Sequence, residues 1–179
     1  MNTAPYIDCG EFILRLPKES DIYDRLKLGR SAEFVRMCGG NATDIKPFTE
    51  EELNRWYERI CNSSCEWVIE LNGSCVGIAR LTINTSDNKA TYSIGIFDER
   101  LYSKGLGTKV TCEVLKYAFC TLSLHRVDLR VLEYNLRGIR CYEKCGFIRE
   151  GIERESAYIE GKYYSDVMMS ILCSEYNGV

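Results

Sequence analysis

Residues 102–108 read YSKGLGT; they follow the strand-like run ATYSIGIF at 90–97 and open a strongly amphipathic helical pattern. Strand, glycine loop and helix together read as an anion cradle. Gly105 and Gly107 allow the backbone to approach a ligand closely. The first N–H groups of the helix have no partner within it, and they point outward with the positive end of the helix dipole behind them. A diphosphate-bearing cofactor is the first hypothesis, and an ordinary glycine-rich turn is the alternative that the loop alone leaves open. Two nucleotide motifs are excluded. A P-loop places Lys and Ser or Thr directly after its last Gly, whereas Lys104 precedes Gly105. A dinucleotide fingerprint counted from Gly105 needs a third Gly or Ala where Val110 stands, so neither ATP nor NAD is indicated.

Downstream, RVDLRV at 126–131 reads as a strand and leads through LEYN into a short helix, LRGIRCYEKC, ending at Gly146-Phe147. Asn135 is its N-cap, and Gly146 stands where a left-handed helix stop is usual. With the glycine loop, this segment resembles the GNAT superfamily of N-acetyltransferases. That family pairs an (Arg/Gln)-x-x-Gly-x-(Gly/Ala) loop with N-x-x-(small)-x-x-x-Y-x-K-x-GF, matched by Asn135, Gly138, Tyr142, Lys144, Gly146 and Phe147. The resemblance covers nearly the whole chain and is nearest the branch of ribosomal-protein N-terminal and spermidine acetyltransferases. Leu14, Arg15 and Asp21 match that branch's LRxxxxxD opening. The loop departs from the pattern at Tyr102, which cannot supply the positive charge of an Arg.

The resemblance implies an α/β (α+β mixed) GNAT fold, with a mixed, mostly antiparallel sheet of about seven strands and helices on both faces. It implies acetyl-CoA as co-substrate, inserted between the strand holding Ile96 and Phe97 and the strand at 126–131. The cofactor-binding set is then Ile96, Phe97, Tyr102, Lys104, Gly105, Leu106, Gly107, Thr108, Asn135, Gly138 and Lys144. Gly138 would let the last helix approach the cofactor. Tyr142 matches the family's general acid, placed to protonate the departing thiolate; packing on a helix is the other reading of that residue. A backbone N–H near Ile96 or Phe97 is the candidate donor to the oxyanion. An amine with a pKa near 10 must lose a proton before attack, and Glu33, Glu70 and Asp98 are the carboxylates considered as base.

The remaining sequence agrees with one domain over residues 1–179. A chain of 179 residues, 45% hydrophobic and 27% charged, is ordinary for a globular protein. No apolar run is long enough to span a membrane, and the N-terminus lacks signal-peptide order, so a cytoplasmic location is expected. A net charge of −3 without a basic block argues against nucleic acid and mildly for cationic partners. Expected partners are a small-molecule or peptide amine, with a homodimer admitted, and with no nucleic acid or membrane. The ten cysteines contain no CxxC and read as reduced thiols, mostly small apolar fillers. A Cys–His nucleophile would need the only histidine, His125, which precedes a strand; no metal site is expected.

Along the chain, residues 12–16 read as a strand, and Ser20 caps a two-turn helix ending near Gly29. Residues 31–47 read as loop, and Thr49 with Glu52 forms a capping box for a helix reaching Ile60. Strands at 67–71 and 76–83 join through Asn72-Gly73. Val110, Val114, Ala118 and Leu122 carry the helix after the cradle. A closing hairpin at 150–159 and 163–172 turns at Glu160-Gly161. On the acceptor side that the resemblance implies, Asp21, Asp24, Glu33, Asp44, Glu50, Glu51, Glu52 and Glu58 would suit a polyamine, and capping or surface positions are the other reading of these acids, above all of the capping-box trio. Arg80 stands where the spermidine branch tends to carry an acid, so an N-terminal α-amine of a protein and an aminoglycoside stay open as acceptors. A non-catalytic acyl-CoA sensor is the reading from another class.

Overall fold

The computed structural model describes residues 4–178. Eight strands form one sheet in the order β1-β2-β3-β4-β5-β6-β8-β7: β1 Ile7–Asp8, β2 Ile13–Arg15, β3 Glu66–Leu71, β4 Ser74–Asn84, β5 Lys89–Ile96, β6 Arg126–Leu132, β7 Ile148–Ile159 and β8 Lys162–Leu172. All neighbours are antiparallel except β5 and β6. The strand beyond the expected seven is β1, two residues paired to β2, too short to leave a period in the sequence.

Five α-helices accompany the sheet: α1 Ser20–Leu28, α2 Ala32–Met37, α3 Glu50–Cys61, α4 Leu106–Lys116 and α5 Leu136–Lys144. Helix α2 corrects the loop expected over 31–47. Ser31 caps it, its hydroxyl accepting from the Phe34 N–H at 2.9 Å, but six residues before Gly39-Gly40 are too few to show an amphipathic stripe. The expected cap at Ser20 is also corrected. Glu19 is the N-cap of α1 with no side-chain bond, and the first turn is held instead by the buried Asp21, which accepts from the Lys18 N–H at 2.7 Å. The Thr49–Glu52 capping box forms as expected, and such a cap stabilises a helix by about 1 kcal/mol.

Local chemistry sets the turns. Asn72-Gly73 and Glu160-Gly161 have positive φ at both positions, 52° and 81°, then 51° and 81°, the geometry that matches the twist of hairpin strands. The larger core lies between the sheet and α4, where Val110, Val114, Leu115 and Ala118 meet Trp67, Ile69, Ala79 and Leu81. On the opposite face Val68, Cys75 and Phe97 pack beneath Leu28, Phe34 and Trp56, so helices cover both faces. The last helical turn after α4, Tyr117–Thr121, widens into a π-helix before Leu122.

The cysteines are all free. Cys65, Cys75 and Cys145 are buried fillers, whereas Cys38, Cys120 and Cys173 are exposed. The filler reading therefore holds for only part of the set.

Strands β5 and β6 pair at Lys89 with Arg126, Ala90 with Val127 and Thr91 with Asp128, and then part. Beyond that point β5 runs on to Ile96 and β6 to Leu132 without pairing to each other.

Candidate active site

Register decides which backbone groups line the divergence. The Phe97 N–H donates to the Val76 carbonyl at 2.8 Å, and β4 pairs with β5 without interruption from Gly77–Ile96 to Asn84–Lys89. Ladder bonds in an antiparallel pair fall on alternate residues. Phe97, Gly95 and Ser93 therefore bond to β4, while Ile94 and Ile96 turn their N–H and C=O toward the gap. This corrects half of the oxyanion expectation: the Phe97 N–H is already used, and Ile96 alone presents a free one. The Ile96 carbonyl accepts from the Tyr102 hydroxyl at 3.0 Å.

The cradle closes one end of the gap. Gly105 is the N-cap of α4 with φ 87°, a left-handed conformation that any side chain would strain. Gly107 has ordinary helical backbone; a Cβ there would meet only Cys141 Sγ, at 3.6 Å. The Leu106, Gly107 and Thr108 N–H groups precede the first bond of the helix, Lys109 N–H to the Gly105 carbonyl at 3.1 Å. Lys104 is exposed on the loop and Leu106 is buried under it.

A cationic side chain from a different element lies against Tyr102. Arg137, in the first turn of α5, stacks its guanidinium 4.0 Å from the centre of the Tyr102 ring and pairs with Glu33 at 3.3 Å. Sequence reasoning missed Arg137. The only signal was its place between Asn135 and Gly138, the two residues that the family pattern names.

Asn135 caps α5, its Oδ1 accepting from the Gly138 N–H at 2.9 Å. A Cβ on Gly138 would stand 3.0 Å from that same side chain, so the glycine is needed by the cap itself. Lys144 is exposed at the far end of α5. Tyr142 lies on α5 with its ring edge-on to Tyr92 at 6.4 Å and to Phe147 at 5.8 Å. Tyr92 is the first residue of β5 past the last pair with β6, and its hydroxyl shares a hydrogen bond with Thr111 Oγ1 at 3.0 Å. Burial pushes the Tyr142 phenol up, with the nearby Cys141 adding, so the ring holds its proton at any ordinary pH.

Helix α2 straps the opposite face. A Cβ on Gly95 would collide with Phe34 at 2.9 Å, which places the Phe34 ring directly on β5. Tyr134 beyond β6 donates to the Arg36 carbonyl at 2.6 Å, and the Ala42 N–H reaches Glu160 in the β7–β8 turn at 2.8 Å. The strap thus joins both sides of the divergence.

The acids expected to make this side negative are largely committed. Asp21 is buried against Arg15, accepting from Nη1 at 2.8 Å and Nη2 at 2.7 Å, and Asp24 accepts from the Cys75 N–H at 2.8 Å. Glu52 binds Arg30 at 2.8 Å and Glu51 sits 3.5 Å from Arg55. Among the base candidates, the Arg15 hydrogen bond lowers the Glu70 carboxyl and Arg100 lowers that of Asp98, which makes both weaker bases. Glu33, on the strap, is the one whose element covers the end of β5. Arg80 is exposed on β4, opposite Glu66 and Ser93.

Comparison with known proteins gives a consistent picture. Residues 11–148 match a family model described as an acetyltransferase (GNAT) domain. A spermidine N(1)-acetyltransferase of Vibrio cholerae is 32% identical over 130 residues, covering 70% of this chain and 75% of the relative. A putative ribosomal N-acetyltransferase of Bacillus subtilis, YdaF, is 30% identical over 159 residues, covering 88% and 84%. Among solved structures, the Vibrio cholerae spermidine N-acetyltransferase in complex with CoA and spermine superposes with a TM-score of 0.77 at 25% identity, over 93% of this chain and 98% of that one. A GNAT-family acetyltransferase from Bacillus anthracis shares the fold, with a TM-score of 0.81 at 18% identity, over 96% and 100%. No helix among the described residues is long and apolar enough to cross a membrane.

Proposed function

The chain belongs to the GNAT acetyltransferase family, and we propose that it carries acetyl from acetyl-CoA directly to the primary amine of a small molecule, in the divergence between β5 and β6. Acetyl-CoA is the acetyl donor of this family, and what it supplies when bound is a thioester open to attack by an amine. The observation that carries the reading is the open edge of β5 ending at a left-handed glycine cradle. A chain of amides can pair with that edge as a neighbouring strand would, and a pyrophosphate suits three free N–H groups at a helix start.

The residues then divide the work. Ile96 donates its free N–H to the oxygen that gains charge on attack, a contribution of about 3 kcal/mol where one such donor has been removed from other enzymes. Tyr142, held protonated, gives its proton to the departing sulfur. Glu33 draws the proton from the incoming amine, directly or through water. Lys104 supplies positive charge beside the phosphates, and Arg137, stacked on Tyr102, holds Glu33 in place.

For the acceptor, the spermidine acetyltransferases among the relatives support a polyamine, as does the net charge of −3. A second reading, an amine that also bears an anionic group, is favoured by the buried Arg25 of α1, which lies 3.4 Å from the centre of the Phe97 ring. The test is release of free thiol from acetyl-CoA across polyamines, aminoglycosides, amino acids and short peptides with free α-amines. Release driven by a small amine is the expected result. Tight acetyl-CoA binding with no release by any amine would make the protein an acyl-CoA sensor.

A further inference from the structure

Three buried side-chain nitrogens lack a hydrogen-bond partner among the described residues: Arg25 Nε, Arg30 Nε and Trp56 Nε1. They gather on one side of the sheet, where α1 and α3 pack. The Arg25 guanidinium stands 3.4 Å from the centre of the Phe97 ring, 4.7 Å from Phe48 and 5.9 Å from Trp56, and Arg30 stands 4.2 Å from Phe48. Arg25 is only 7% exposed and has neither an ion pair nor a side-chain hydrogen bond among the described residues. The one carboxylate bonded to the pair is Glu52, and it binds Arg30 at 2.8 Å while its other oxygen caps the Thr49 N–H at 2.9 Å. Burial, with Arg30 adding repulsion, pulls the Arg25 guanidinium down to about 10, still charged at neutral pH.

A buried cation without a counter-ion is costly, and stacking on aromatic rings recovers only about 1–2 kcal/mol per contact. The position suggests what completes it. Phe97, on which Arg25 lies, directly follows Ile96, and Phe34 packs edge-on against the same ring at 5.5 Å. A group lodged on Arg25 would therefore be held beside the strand end that presents the oxyanion donor. The guanidinium fork matches a planar carboxylate, and the aromatic walls keep water from competing. An acceptor made only of ammonium groups would instead face two guanidinium charges.

We infer that Arg25, with Arg30 and the Trp56 N–H beside it, forms an anion subsite on the acceptor side, and that the acceptor is a small amine that also carries a carboxylate. The inference rests on the acetyl-transfer reading for the ligand's role as acceptor, and on the structure alone for its binding.

The test is calorimetric titration of the CoA-loaded protein with each standard amino acid and with its carboxamide, for wild type and Arg25→Met. At least one amino acid should bind about tenfold or more tightly than its amide, the scale of a charge-assisted bidentate contact. Arg25→Met should erase that difference and Arg25→Lys should reduce it. Without ligand, Arg25→Met should unfold at an equal or higher temperature, because an apolar side chain of similar length replaces an unpaired buried charge; a lower midpoint would mean that the arginine serves packing and would overturn the subsite. Amides that bind as well as the acids, or no amino acid binding at all, would also overturn it. Thiol release in the same panel separates the two readings. Selective binding without release would uphold the subsite and refute the acceptor, whereas release with no preference for carboxylates would uphold acetyl transfer and refute the subsite.

Discussion

The Tyr102 hydroxyl donates to the Ile96 carbonyl at 3.0 Å, joining the first residue of the glycine loop to the last residue of β5. The bond occupies the one Ile96 group that an incoming amide N–H could use, and it leaves the Ile96 N–H free. Tyr102→Phe should therefore release that carbonyl and tighten acetyl-CoA binding by about two- to tenfold, the net worth of one hydrogen bond. The ring stays, so its stack with Arg137 survives. Calorimetry with CoA measures it; weaker binding would mean that the hydroxyl itself holds the cofactor.

Gly105 and Gly107 should separate folding from binding. At Gly105, with φ 87°, Val carries a backbone strain of about 1–3 kcal/mol and should lower both the unfolding temperature and CoA affinity. At Gly107 a Cβ meets only ordinary contact with Cys141, so Ala should leave the unfolding temperature unchanged and lower CoA affinity alone. Unchanged affinity in both variants, measured on folded protein, would remove the cradle from the cofactor site.

Tyr142→Phe should cut turnover by roughly 10²- to 10⁴-fold, the span of general acid catalysis, with little change in acetyl-CoA affinity. The ring keeps its contacts with Tyr92 and Phe147. Because burial raises the phenol, the acid form is present below its ordinary pKa of about 10 and beyond it. Turnover should thus rise with pH as the acceptor amine deprotonates, without a descending limb from Tyr142 below about pH 10. A descending limb in that range that disappears in the Phe variant would contradict the assignment.

Asp21→Ala should be among the most destabilising single changes in the chain. It leaves Arg15, only 4% exposed, without its bidentate partner, which costs about 3–5 kcal/mol for a buried pair broken on one side. The unfolding midpoint should fall by about 6–20 °C for a domain of this size. A drop of under a few degrees would show that Glu70, the other carboxylate on Arg15, is enough.

Much of this architecture was legible because it rests on local chemistry. Asn135 caps where the pattern put it, Gly105 takes positive φ, and the Asn72-Gly73 and Glu160-Gly161 turns follow from their residues. The Arg15–Asp21 pair gives a physical reason for an LRxxxxxD opening. What stayed hidden depends on residues distant in sequence. Helix α2 is too short for a period, and the bonds joining Arg36 to Tyr134 and Ala42 to Glu160 span 98 and 118 residues. The free N–H of Ile96 rather than Phe97 follows from register with β4, which no local pattern encodes. Arg137 meets Tyr102 only through the fold, and Arg25 lies unpaired among rings drawn from the α2–α3 connection, α3 and the end of β5.

Amide hydrogen exchange with and without CoA tests most directly whether the gap between β5 and β6 is the cofactor slot. Ile94 and Ile96 have N–H groups that face no strand, and the Leu106, Gly107 and Thr108 N–H groups have no helical partner. CoA should slow exchange at both groups of amides, while Ser93, Gly95 and Phe97, bonded to β4, change little. Protection elsewhere on the sheet, with these five amides unaltered by saturating CoA, would contradict the account.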